Sequence, residues 1–341
     1  MRLVFLGTPA FAVPTLVRMA EAGHQVLAVV TQPDRPRGRG QHPSPPPVKE
    51  AVARLGLPVY QPERIRLPEA VEFLRALAAE AMVVVGYGQI IPQSVIDLAP
   101  LGIVNVHASL LPKYRGAGPV QWAILNGETR TGVTTMRIDA GLDTGDMLLK
   151  TETEIGTDEN AVELAQRLAA MGADLLVETL AGLAAGAIVP QKQDSSQATW
   201  ARLLKKEDGL IDWSQPAQSL HNRVRGLQPW PGAYTTFRGQ TLHVWKTRVH
   251  TSVDTADTSW QAEAPAPQEH KPLRNKVGQA LPPVSPLPGH FLSLKPLVVR
   301  CGSGALELLE VQLEGRKRIS AADFANGQRL AENEDIGGFR L

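Results

Sequence analysis

The chain has 341 residues, a formal net charge of +1 and 43% hydrophobic residues, enough for two domains with a large core but with no whole-protein field that would draw in a polyanion. Its one cysteine, Cys301, excludes an intramolecular disulfide and a multi-cysteine zinc site, and fits a reducing compartment. No apolar run approaches the roughly 18 residues of a membrane span, so a cytoplasmic protein is expected.

The opening run MRLVFLGTPAF has the look of a signal peptide, but it breaks at Gly7-Thr8-Pro9, and a buried first strand over Arg2–Leu6 explains it better. A helix follows, ending near Gly23, then a second strand over Gln25–Thr31. A Pro/Arg/Gly-rich loop is expected from Gln32 to Pro47. Helices are expected over Val48–Leu55 and Pro68–Ala79, and strands over Met82–Val85 and Gly102–His107. Gly118–Asn126 reads as helix, and Gly132–Ile138 and Met147–Thr153 as strands. Short buried strands alternating with helices predict an α/β fold, a doubly wound, Rossmann-like, mostly parallel sheet. Ligands of such sheets bind beyond the carboxyl ends of the strands. Gly7-Thr8-Pro9, Gly86-Tyr87-Gly88 and Asn105–His107 fall at such ends.

A long Ala/Leu-rich helix is expected over Asp158–Gly182, with Thr157 and Asp158 as cap candidates. Beyond a charged connector from Trp200 to Trp213 the pattern changes. Ala233–Phe237, Gln240–Lys246, Leu297–Cys301 and Ala305–Leu313 read as short strands between turns, the pattern of a small OB-like β-barrel or sandwich. The segment 251–289 is rich in Pro, Ala, Ser and Gln, has too little hydrophobicity to bury, and is expected to be a mobile insertion. The organisation predicted is a catalytic domain over 1–205 and a β-barrel-like domain over 206–341.

The chemistry concentrates between Asn105 and Asp143. On a strand, positions i and i+2 face the same way, so Asn105 and His107 can aim at one reacting atom. Asp143 follows in the turn GLDTG. An amide donor, an imidazole and a carboxylate suit a carbonyl that becomes an oxyanion. Taken singly, each has a plainer reading. A lone His at a strand end is commonly a satisfied core residue, Asn satisfies loop backbone, and Asp between glycines forms turns. GxGxxG, GxSxG, the P-loop and HExxH are all missing, which disfavours a nicotinamide dehydrogenase. With scattered His residues, no metal site is expected.

In combination the segments resemble the folate-dependent formyltransferase family. They are FLGTPAFAVPTL, VVTQPDRPRGRG, NVHASLLPKYRGAGPVQWAILNGETRTGVTTMRIDAGLDTGDML, IDWS, RVRGLQPWPGAYT and LELLEVQLEGRKRISAADFANG. The core HASLLPKYRGAGPVQWAI is highly specific, and PWPGA and RKRISAADF narrow the likeness to the branch that acts on charged tRNA. The resemblance implies 10-formyltetrahydrofolate as donor, the α-amine of methionyl initiator tRNA as acceptor, and no metal. It implies catalytic roles for Asn105, His107 and Asp143. It implies a folate site from Ser109, Leu110, Leu111 and Pro112, with Tyr87, Gly88, Gln89 and Ile90 as its apolar wall. It implies tRNA contact by Arg35, Arg37 and Arg39, and by Lys206, Arg316, Lys317 and Arg318. Where the family's basic loop continues with lysines this chain has Gln41-His42-Pro43, which shifts RNA affinity toward the C-terminal domain. A monomer is expected. Three rivals stand beside this reading: a formyltransferase for a small amine, a formyltetrahydrofolate hydrolase, and a non-catalytic RNA-binding module. The first would share the catalytic residues but has no evident need for PWPGA or the C-terminal domain, and the second would use water as acceptor, which that domain argues against.

Overall fold

The computed structural model describes residues 1–37, 42–250, 287–331 and 334–337. The chain divides into two compact units, Met1–Leu204 and Lys205–Leu341.

The first unit runs β1 (Arg2–Gly7), α1 (Val13–Glu21), β2 (Gln25–Val30), β3 (Arg35–Arg37), β4 (His42–Ser44), α2 (Pro47–Leu55), β5 (Val59–Tyr60) and α3 (Pro68–Ala76). It continues with β6 (Ala81–Val85), α4 (Gln93–Ile96), β7 (Ile103–His107), α5 (Pro119–Leu125), β8 (Arg130–Arg137), β9 (Met147–Glu154) and α6 (Ala161–Ala184). Seven strands form one sheet in the order β5-β2-β1-β6-β7-β8-β9. The first five are mutually parallel, and β8 and β9 each run antiparallel to the strand before. β6 and β7 are buried along their whole length, because helices cover both faces and leave no room for alternating polar positions. The order reverses at β1, so the switch point lies between β1 and β6. There Thr8 Oγ1 donates to the Tyr87 carbonyl at 2.9 Å, tying together the loops that leave the two strands.

Proline sets helix starts in this unit. It occupies one of the first two positions of α1, α2, α3 and α5, where its missing N–H costs nothing and its fixed φ suits the helix. The long helix begins later than Thr157-Asp158 predicts. Its cap is Asn160, whose side chain accepts from the backbone of Val162 and Glu163 while Glu163 reaches back to the Asn160 N–H. This reciprocal box satisfies more orphan donors than an Asp158 cap would. Gly172 lets α6 close on the sheet, since a Cβ there would sit 2.7 Å from Val106 Cγ1.

The loop expected over Gln32–Pro47 is in part a hairpin. β3 pairs antiparallel with β4, Arg35 opposite Ser44 and Arg37 opposite His42. Its base is anchored by Asp34, which accepts from Lys49 Nζ and Gln61 Nε2. Those hydrogen bonds, Gln61's first, hold the Asp34 carboxyl below its ordinary value. Arg39 lies outside the described residues.

The second unit contains α7 (Ala217–Gly226), β10 (Ala233–Phe237), β11 (Gln240–His250), β12 (Phe291–Leu294), β13 (Leu297–Arg300), β14 (Ala305–Leu313), β15 (Ile319–Ser320) and α8 (Ala321–Gln328). Its antiparallel sheet runs β10-β11-β14-β13-β12, with β15 also on β14. The described pairings form an open path and do not themselves close a barrel. Two helices, α7 and α8, are not legible in the short-strand pattern. They cover a core that includes Trp213, Leu220, Val244, Leu306 and Phe324. Residues 251–286 of the expected insertion lie outside the described residues. No described helix is long and apolar enough to cross a membrane.

Candidate active site

The end of β7 positions the first two residues. In register, Asn105 faces Val84 of β6 and Met136 of β8, and His107 faces Thr134. Both side chains are buried, at 7% and 6% exposure. Because β8 is antiparallel, it ends beside Val104, the wrong level to deliver a third group. The loop after it turns back, and Asp143 comes to lie against both. Its Oδ1 accepts from Asn105 Nδ2 at 3.5 Å, and its Oδ2 lies 3.8 Å from His107 Nδ1. Oδ2 also accepts from the Gly116 N–H at 2.9 Å. Asp143 takes a positive φ of 53°, which Asp tolerates better than most residues. Two positions after it, Gly145 has to be glycine: a Cβ there would lie 1.9 Å from the Arg137 carbonyl oxygen.

A backbone group orients the imidazole. His107 Nε2 lies 2.9 Å from the Tyr114 carbonyl oxygen. That oxygen only accepts, so Nε2 carries the hydrogen and Nδ1 is left facing the carboxylate. Tyr114 itself has φ 61°, and its hydroxyl donates to Glu128 Oε1 at 2.8 Å. Burial, more than that contact, pushes its phenol up to about 12.

The segment after His107 is held by Thr134. Thr134 Oγ1 donates to the Ser109 carbonyl at 2.7 Å and accepts from the Leu111 N–H at 3.2 Å. Ser109 is fully buried, and its hydroxyl donates to the Lys113 carbonyl at 2.6 Å. Leu111 is buried with Met136 and Met147, while Pro112 is half-buried. Leu110 lines a cavity of about 120 Å³ with Lys113, Tyr114, Glu128, Arg130, Thr131 and Glu152, a lining that includes none of the three site residues.

The run after β6 divides its roles. The Tyr87 side chain is 1% exposed and packs in the core with Ile65, Ile91 and Val95, its hydroxyl without a partner. Burial holds that phenol at about 12. Gly88 has φ 86°. Gln89 accepts from the Ile65 N–H and donates to the Glu63 carbonyl. Ile90 is 89% exposed. Of this run only Ile90 leaves a large apolar side chain exposed.

The basic residues lie on two units. Arg35 is exposed on the hairpin of the first. Lys206, Arg316, Lys317 and Arg318 are exposed on the second. Arg318 stacks over Trp245, 4.1 Å from the ring centroid, and reaches Glu310 at 3.6 Å.

Several contributors carry no signal in the chain. The Tyr114 carbonyl and the Gly116 N–H are backbone groups. Gln193, whose side chain touches the Asp143 turn, sits in a stretch with no motif. No group of acidic, His or Cys residues suited to a metal occurs among the described residues.

The comparisons extend this picture over the whole chain. A family model described as formyl transferase matches residues 1–180, and one described as the formyl transferase C-terminal domain matches residues 203–329. Among solved structures, HypX from Aquifex aeolicus in complex with tetrahydrofolic acid superposes with a TM-score of 0.60 at 16% identity, covering 100% of this chain and 51% of that one. The N-formyltransferase from Helicobacter canadensis gives 0.59 at 16% identity, with 90% and 98% covered. At that identity the likeness is one of fold. Curated relatives are far nearer. The methionyl-tRNA formyltransferase of Solibacter usitatus is 68% identical over 99% of both chains. That of Citrifermentans bemidjiense is 48% identical over 99% of this chain and 96% of its own. Matched end to end at such identity, the chain belongs to the methionyl-tRNA formyltransferase family.

Proposed function

We propose that the protein transfers the formyl group of 10-formyltetrahydrofolate to the α-amine of methionyl initiator tRNA, giving N-formylmethionyl-tRNA for translation initiation. The observation that carries the reading is the meeting of one carboxylate, Asp143, with both Asn105 and His107, in a chain of this family. The donor brings an activated formyl carbon, so the reaction calls for neither ATP nor a metal. As the amine attacks, negative charge develops on the formyl oxygen. Asn105 Nδ2, held only by a long 3.5 Å contact, turns its hydrogen to that oxygen. Such a donor is worth roughly 10²–10³ in rate. The tetrahedral adduct then collapses by breaking its bond to N10 of the folate, and tetrahydrofolate leaves as N10 takes the proton that His107, with Nε2–H committed to Tyr114, gives from Nδ1; Asp143 steadies the imidazolium charge. Asp143 also helps remove the amine proton, through water. General acid–base help of this kind contributes roughly 10²–10⁴.

The folate lies over the loops that follow β6 and β7. Ile90, Leu110 and Pro112 give it apolar surface, and Leu111 closes the site from beneath. Ser109, Tyr87 and Gln89 act by shaping these loops, since their side chains are spent on internal packing and hydrogen bonds, and Gly88 supplies a positive φ of 86°. The exposed Ile90 fits the flat face of a ring system, in keeping with the apolar lining of most small-molecule pockets. Residues 1–205 form the catalytic domain in this reading, and 206–341 engage tRNA through Lys206, Arg316, Lys317 and Arg318. The hairpin with Arg35 and Arg37 approaches the acceptor end, and Arg39 is a third contact for tRNA. The enzyme works as a monomer in the cytoplasm.

Transfer of labelled formyl from the donor to methionyl initiator tRNA tests the assignment, run beside glycinamide ribonucleotide and water alone. Label on methionyl-tRNA supports it. Label on the small amine, or release as formate, would instead select one of the rival activities.

A further inference from the structure

The turn bearing Asp143 is held from outside by a residue that formyl transfer itself does not call on. Gln193 lies beyond α6, in the stretch that leads to the end of the first unit. Its Nε2 donates to the Asp143 carbonyl at 2.9 Å and to the Gly145 carbonyl at 2.8 Å. Its Oε1 accepts from Arg115 Nε at 2.9 Å. Only this amide orientation satisfies every partner, because a guanidinium only donates and a carbonyl only accepts. Arg115 therefore fixes which way the Gln193 amide points.

Arg115 is itself an unusual residue to find there. It is 4% exposed, forms no ion pair with a carboxylate among the described residues, and its Nη2 is buried without a hydrogen-bond partner. A buried cation so poorly compensated is costly. Its backbone is pinned as well, with its N–H on the Thr199 carbonyl and its carbonyl on the Ala201 N–H. The next residue, Gly116, gives its N–H to Asp143 Oδ2. At Gly116, φ is 114° and a Cβ would lie 2.7 Å from the Ala201 carbonyl oxygen. One short segment thus holds Asp143 twice, by Gly116 at the carboxylate and by Arg115 through Gln193 at the backbone.

We propose that Gln193, oriented by the buried Arg115, is a positioning residue that sets the Asp143 carboxylate against Asn105 and His107. The proposal rests on the formyl-transfer reading for its kinetic consequence but not for its structural one. Without the two Gln193 donors, the positive-φ turn is no longer tied down along its backbone, and the carboxylate drifts. Displacement of about 1 Å in such a group costs up to roughly 10²-fold in rate.

The test uses Gln193→Glu and Gln193→Ala in the full chain. Glu keeps the size and gives Arg115 an acceptor, so the packing around Arg115 is kept, but its second oxygen cannot donate to the two carbonyls. The expected result for Gln193→Glu is a cooperatively folded protein with a modestly lowered melting temperature, a kcat reduced by about 10–100-fold, and a donor KM within about threefold. Made on top of Asp143→Asn, either change should have almost no further effect, because both act through one group. A crystal structure of Gln193→Glu should show Asp143 Oδ2 moved from the Gly116 N–H and from His107 Nδ1. Parent-like kcat in Gln193→Glu where Asp143→Asn is impaired, additive losses in the double variants, or an unmoved Asp143 would each overturn the proposal. If Asp143 moves in the crystal while Asp143→Asn keeps full activity, the positioning stands and the catalytic role given to Asp143 fails.

Discussion

Replacing Asp143 by Asn separates charge from shape. Asn tolerates the positive φ of this turn, and one amide oxygen can still accept from the Gly116 N–H, so the loop should hold. What disappears is the negative charge 3.8 Å from His107 Nδ1, with side-chain exposures of 7% and 14% for the pair. At that separation a unit charge pair is worth about 1 kcal/mol in the dielectric of water and about 4 kcal/mol at an effective constant near 20. If the reaction makes an imidazolium in the transition state, that energy is lost from the barrier, a slowing of roughly 6-fold to 10³-fold. Burial of both groups places the expectation in the upper part of this range. The assay is single-turnover transfer of labelled formyl to methionyl-tRNA, with donor and acceptor saturating, so that binding does not enter. Folate affinity and melting temperature are measured alongside and should stay near parent values. A rate within threefold of the parent would refute the reasoning and leave Asp143 as a turn former only.

Replacing Arg316, Lys317 and Arg318 together by Ala should weaken tRNA use and flatten its salt dependence by roughly one logarithmic unit of slope for each phosphate no longer neutralised, with folate affinity unchanged. An unaltered salt slope would show that this turn does not meet RNA. Burial pushes the Cys301 thiol up from 9.0 to about 12, so a disulfide reagent at pH 8 should label the native protein slowly and the denatured protein at once; rapid native labelling would contradict the buried placement. Burial also holds the His243 imidazole below its ordinary 6.5, so the unfolded chain binds the extra proton first. Stability should therefore be full above about pH 6.5 and decline as pH falls through the depressed value. Urea titrations of the parent and of His243→Gln at pH 5 and 7.5 read this as a smaller pH dependence in the variant.

Much of the architecture is legible in the residues themselves. Continuous apolar runs such as AMVVV announce strands covered on both faces, and period-two geometry alone places Asn105 and His107 on one side of their strand. Both follow from backbone stereochemistry that operates within a few residues. Local pattern is weaker where several signals compete. The helix cap moves from Asp158 to Asn160 because a reciprocal box outweighs a single acceptor. The Gln32–Pro47 segment becomes partly a hairpin, anchored by Lys49 and Gln61 from elsewhere in the chain. Tyr87 reads as a pocket wall, yet its ring fills the core and Ile90 is the side chain left outside. The geometry of the candidate site itself is a tertiary matter. No sequence pattern says that a loop leaving an antiparallel strand turns back to bring Asp143 beside His107, nor that the Tyr114 carbonyl fixes the imidazole tautomer. Gln193 and Arg115, far apart in the chain, join only because the stretch after α6 returns along Arg115. Sequence periodicity reports which face a side chain occupies within its own element, whereas meeting across elements depends on packing and on backbone hydrogen bonds that every residue type can make.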